Sequence, residues 1–133
     1  MLATMNNFKK GFTLVEILVV VAIIALIAAI AIPNLIRARV NANEAAAQAT
    51  LKAISNAMEN YASINSKYPS TTTAVLGVTP PYLNKDYFTG NFNGYSFTST
   101  LGDYAYTIRA VPTSSSMGIA SYTITTGAVL TKN

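Results

Sequence analysis

The chain has no cysteine and no histidine, and only 11% of its 133 residues are charged. Without cysteine no disulfide can form. That does not fix the compartment, because oxidising environments permit disulfides rather than require them. Lacking both residue types, the chain also lacks the commonest zinc ligands and the usual nucleophile–base pairs. Its acids are few and scattered. Asp86 and Asp103 stand alone, so no oxygen-rich metal-ligand set is visible, and no paired carboxylates suggest acid–base catalysis. These absences argue against an enzyme, and no cofactor is expected. The net charge of +4 includes Lys9 and Lys10. The other basic residues form no run, so no specific nucleic-acid site is evident.

What the chain has instead is apolar residues. It is 51% hydrophobic, with a mean hydropathy of +0.35. An ordinary soluble domain carries about a quarter charged residues. From Ile17 to Ile32 no polar residue occurs. With Phe12, Leu14, Val15, Leu35 and Ile36 the apolar segment reaches about 25 residues, and about 20 suffice for a membrane-spanning helix. Lys9 and Lys10 before it favour a cytoplasmic N-terminus, whereas Arg37 and Arg39 beyond it reduce that asymmetry.

From Arg37 to Ile64 the pattern changes without a glycine break. Leu51, Ile54, Met58 and Tyr61 recur at helical spacing, and Ala47 and Val40 extend the stripe backward. This is one face of an amphipathic helix. Only Pro33 interrupts, so the spacing predicts one helix of about 50 residues. Beyond Ile64 the composition shifts to Ser, Thr, Tyr, Asn and Gly. Residues 65–93 read as loop-rich. Alternation around Tyr95–Thr98, Tyr104–Ala110 and Tyr122–Ile124, with Val129-Leu130 after Gly127, reads as half-buried strands, and a hairpin turn is expected at Leu101-Gly102-Asp103. The fold class is therefore α+β, a long N-terminal helix packed on a small antiparallel sheet of three or four strands. The eight tyrosines read as strand residues with buried rings and wet hydroxyls. Ser114-Ser115-Ser116 reads as an exposed loop.

One carboxylate, Glu16, lies inside the apolar segment, one turn from Phe12. A charge near the end of a membrane helix ordinarily marks the interface. Its neighbours suggest more. Lys9-Lys10-Gly11-Phe12-Thr13-Leu14-Val15-Glu16, followed at once by a long apolar run, resembles the processing signal of type IV prepilins and type II secretion pseudopilins. Pro33 also matches that family in its distance from the cleavage site. The resemblance implies a pilin fold and a leader, residues 1–11, starting at Met1 or Met5. It implies that a membrane prepilin peptidase cuts between Gly11 and Phe12 and methylates the new Phe12 amine. Glu16 would then align an incoming subunit through that subunit's N-terminus. Partners would be identical subunits in a homopolymer and an inner-membrane assembly platform. The precursor would reside in the inner membrane and the product in an extracellular filament.

The expected division is leader 1–11, apolar assembly half 12–36, amphipathic half 37–64 and globular part 65–133. Pro33 should kink the helix by removing a backbone bond and crowding the carbonyl of Ala29. Melting of Ala25–Pro33 on assembly is a further expectation. Alanines 22, 25, 28, 29 and 31 would let helices approach closely. The function expected is a major pilin-like subunit, and a major pseudopilin of a type II secretion system is the alternative within the family. An ordinary secretory signal ending at Ala29-Ile30-Ala31 is the rival outside it. Mass spectrometry of the mature chain separates the two: the expected N-terminus is Phe12, and Ile32 would exclude a prepilin. Gly11→Ala should slow or block cleavage.

Overall fold

The computed structural model describes Gly11–Asn133; the expected leader, its start and Lys9-Lys10 lie outside the described residues. The described residues divide into two compact units, one ending at Leu35 and the other spanning Ile36–Asn133. A single helix, α1 (Leu14–Asn65), begins in the first and ends in the second. It is followed by one turn of helix, α2 (Thr73–Leu76), and five strands: β1 (Asn91–Phe92), β2 (Tyr95–Gly102), β3 (Ala105–Pro112), β4 (Tyr122–Thr125) and β5 (Val129–Lys132).

The two halves of α1 are helical for different reasons. The first is rich in β-branched residues, Val19-Val20-Val21 and Ile23-Ile24 among them, which are mediocre helix formers in water. A helix satisfies its backbone groups internally, which outweighs side-chain preference wherever water is excluded. Every large apolar side chain from Phe12 to Ile36 that is exposed is at least 49% so. The second half is alanine-rich, and alanine is the best helix former. There one stripe is covered: Val40, Ala47, Leu51, Ile54, Ala57 and Met58 are buried, in agreement with the spacing of the sequence. Tyr61 at its end is half-buried. Helix α1 ends where Ser66 turns left-handed (φ 58). Its N–H still donates to the Ala62 carbonyl at 2.8 Å, and the Asn65 amide donates to the Tyr61 carbonyl at 3.0 Å. Both bonds satisfy carbonyls that a helix end would orphan.

The strands form one antiparallel meander in the order β1-β2-β3-β4-β5. Inward-facing Tyr95, Phe97, Tyr106, Ile108, Ala110, Tyr122 and Ile124 are buried, and with Ala47, Leu51, Ile54 and Met58 of α1 they form one core. Burying each large aliphatic side chain of this set contributes about 1.5–3 kcal/mol before conformational costs. Val75 of α2 and Leu83 close one side of the core, the Leu83 N–H donating to the Val75 carbonyl at 3.1 Å.

The sheet has one strand more than the expected upper count. The addition is β1, two residues long, inside the stretch read as loop. It pairs with β2 across Asn93-Gly94, whose φ values of 51° and 76° are those of a tight two-residue hairpin turn. The next turn falls at Asp103-Tyr104, overlapping the expected Leu101-Gly102-Asp103 at Asp103 and shifted along the chain because β2 continues through Gly102.

Between β3 and β4 the chain crosses the core edge through Gly118. A Cβ there would lie 2.1 Å from the Tyr95 hydroxyl, which is buried and donates to the Ala120 carbonyl at 2.9 Å. Gly118→Ala should therefore destabilise the chain by about 1–3 kcal/mol, the usual cost of overpacking. Urea denaturation of the full chain in micelles, followed by tyrosine fluorescence, checks this. An unchanged midpoint would mean that Tyr95 yields freely.

Candidate functional site

Three sequence-singled residues, Gly11, Phe12 and Glu16, fall at the start of α1. The side chain of Glu16 does not project unpartnered. Its Oε2 accepts the Thr13 N–H at 2.7 Å and the Thr13 hydroxyl at 2.8 Å, while the Glu16 N–H donates to Thr13 Oγ1 at 3.2 Å. This is a reciprocal capping box, which satisfies helix-start donors that would otherwise be orphaned. The Thr13-Leu14-Val15-Glu16 spacing carries that signal in the sequence, but reading Glu16 only as an interfacial or intersubunit charge passed over it. Phe12, one residue before the box, is 86% exposed.

A Cβ at Gly11 would meet nothing within 4 Å among the described residues. Pro33 lies inside α1, which continues on both sides of it. Helix α1 is the one helix among the described residues that is long and apolar enough to cross a membrane, and its most apolar window is entirely unburied.

A second set of carboxylates secures the globular unit, and neither was singled out from the sequence. Glu44 accepts the N–H groups of Ile119 and Ala120 at 3.0 and 3.2 Å through Oε1, and the Tyr122 hydroxyl at 2.8 Å through Oε2. Its neighbour Asn43 donates to the Met117 carbonyl at 2.9 Å. Four turns further along, Glu59 accepts the Tyr68 hydroxyl at 3.0 Å, the Tyr106 hydroxyl at 2.9 Å and the Gly127 N–H at 2.9 Å. Burial pushes the Tyr106 phenol up to about 12, so it keeps its proton and donates it to Glu59. The Ser55 hydroxyl, 2.7 Å away and buried, must then be the donor to Tyr106. The tyrosine rings are thus buried as expected at Tyr95, Tyr106 and Tyr122, but their hydroxyls are bound by protein rather than wet. Among the described residues no three His, Cys, Asp or Glu side chains are grouped to hold a metal ion.

The geometry is that of an exposed apolar helix with a self-capped acid at its head, joined in sequence to a small clasped α+β unit. Comparison with known proteins agrees. Residues 6–32 match the family model for the prokaryotic N-terminal methylation motif. Residues 33–129 match the model described as type IV minor pilin ComP, DNA uptake sequence receptor. The type IV wide pilus major component PilA4 of Thermus thermophilus is 38% identical over 90 residues, which cover 65% of this chain and 69% of that protein. The chain belongs to the type IV pilin and pseudopilin family. The type IV major pilin protein PilA of Myxococcus xanthus is 36% identical over 98 residues, 74% of this chain but only 41% of that longer protein. The type II secretion system core protein G of Escherichia coli is 35% identical over 91 residues, covering 65% of this chain and 61% of its own length.

Hydrogen bonds from the Ile119 N–H and the Tyr122 hydroxyl, the larger causes, hold the Glu44 carboxyl below its usual value of 4.5. A depressed folded-state value means that this stabilisation is present above the ordinary carboxylate range and is lost as pH falls through the folded value. The melting temperature of the full chain in micelles should therefore fall on acidification below pH 4.5. Glu44→Ala should lower it at neutral pH and flatten that part of the acid dependence. A variant with the same acid profile as the parent would show that Glu44 holds nothing.

Proposed function

We propose that the chain is a major-type structural subunit of a type IV pilus. It is inserted in the inner membrane as a precursor, cut between Gly11 and Phe12 by a prepilin peptidase and methylated on the Phe12 amine. Through residues 12–36 it then polymerises into an extracellular filament with other copies of itself. The observation that carries this reading is the fully uncovered apolar half of α1 with a single capped carboxylate at its head. Such a surface is stable in lipid or against like helices, and not in water.

The residues divide the work. Among the described residues nothing crowds the place of a side chain at Gly11, which supports a glycine kept for the peptidase. The cut removes Lys9 and Lys10 and creates an amine one turn from Glu16. Before assembly the Thr13 hydroxyl and N–H accompany the Glu16 carboxylate and lessen the penalty of carrying it in the membrane. On assembly the Phe12 amine of a second copy becomes its cationic partner, a stronger one than neutral donors in a low-dielectric surrounding. Pro33 leaves the Ala29 carbonyl without its helical donor. It is thus the place at which Ala25–Pro33 would loosen as subunits enter the polymer.

The same architecture serves a secretion pseudopilus, and the secretion protein G relatives favour that as the second reading. Glu16 and the small globular part favour a major over a minor subunit. The DNA-receptor role in one matching family's description is not carried over, because the chain's basic residues are scattered. Both remaining readings are structural and neither involves catalysis.

Glu16→Ala tests the assembly role. The variant should be inserted and cleaved normally, yet filament yield should drop by about tenfold or more, as for loss of one member of a desolvated charge pair. Immunoblots of membrane and sheared fractions give both quantities. Filaments at parental yield would refute the role of Glu16. Mass identification of the subunit in purified surface filaments separates a pilus from a pseudopilus.

A further inference from the structure

We infer that Ile119 and Ile36 form an apolar seat on the globular unit that receives the apolar helix half, Phe12–Leu35, of a second copy of this chain. This rests on the polymer reading above and names a surface through which the globular unit takes part in it. Ile119 is 82% exposed, more than any other large aliphatic side chain of Ile36–Asn133. Single exposed aliphatics are ordinary on protein surfaces, but this one differs in two respects.

The first is that its backbone is immobilised on both sides while its side chain faces solvent. Gly118 is packed against the Tyr95 ring, leaving no room for a Cβ. The Ala120 carbonyl holds the Tyr95 hydroxyl at 2.9 Å. Glu44 accepts the N–H groups of both Ile119 and Ala120, and Asn43 grips the Met117 carbonyl. A side chain presented this way gives up little backbone freedom when covered, the condition under which apolar contact converts best to affinity.

The second is continuity along the helix. Asn43 and Glu44, which hold this segment, follow Val40 and Ile36 at helical spacing on one face. Val40 is only 6% exposed and Ile36 is 52% exposed. Within this unit, therefore, the cover of the stripe stops between them, and the apolar surface emerges from the core at Ile36. Exposed Arg37 and Arg39 beside it supply the polar rim usual around an apolar contact.

The occupant that fits is the part of this chain with the same chemistry. Phe12–Leu35 bears one charged side chain, at Glu16, exposes every large apolar side chain, and must exchange lipid for protein when it leaves the membrane. Its alanines 22, 25, 28 and 29 leave shallow places into which a protruding isoleucine can set.

The test uses the full chain in its filament-producing host. Ile119→Asp should lower filament yield by about tenfold, as for an interface anchor, with the processed subunit still present in the membrane. Ile119→Val should assemble normally, as should Thr98→Asp on the sheet's outward face. Because the chain has no cysteine, Ile119→Cys can be paired with cysteine at position 22, 25, 28 or 29. Mild oxidation of intact filaments should then give covalent dimers for at least one pair, and none for Thr98→Cys in the same pairings. Parental yield from Ile119→Asp, or no dimers from any of the four pairs in well-formed filaments, overturns the contact and leaves the polymer reading standing. A parental chain that makes no filaments overturns both.

Discussion

The core of the globular unit depends on one stripe of α1 being covered by the inner face of the sheet. Leu51, Ile54 and Met58 meet Tyr95, Ile108 and Ile124 in a single cluster with no exposed member. Neither side is stable without the other. A meander of short strands with one apolar face needs something to lie on, and an alanine-rich helix in water gains most of its stability from packing. The short segments around this contact, including α2 and the two-residue β1, are held by what they add to its edges.

Apolar packing is non-directional, so it does not by itself fix how a sheet sits on a helix. Glu44 and Glu59 supply the direction. Each carboxylate gathers donors from separate parts of the chain. At Glu59 they come from the post-helix loop, from β3 and from the β4–β5 turn. Their partners are N–H and hydroxyl groups, which bind a carboxylate by charge-assisted hydrogen bonds of fixed geometry. The lost rotational freedom of two glutamates is set against the positioning of five loops and strands.

Much of this was legible in the sequence, and the exceptions have physical reasons. The helix and its buried stripe were readable because a period of 3.6 persists over many residues. The central strands β2, β3 and β4 were readable because buried and less buried residues alternate. Strand β1 was not, since two residues cannot establish a period, although the Asn93-Gly94 pair carried a hairpin signal. The Thr13–Glu16 box was written in the spacing and was obscured by the stronger functional suggestion of an acid in an apolar helix. The roles of Glu44 and Glu59 were not legible at all. Their partners lie far along the chain, and a glutamate beside an apolar stripe usually marks a solvated flank.

Those two glutamates also bear on where and when the unit can close. A cystine staple requires an electron acceptor, and its formation can trap a wrong pairing that must later be reshuffled. A staple made of carboxylate hydrogen bonds forms as fast as the chain collapses and corrects its own errors by reopening. It works equally under air or in its absence. The price is paid in acid, where an oxidised pair of sulfurs would hold and a protonated glutamate would not.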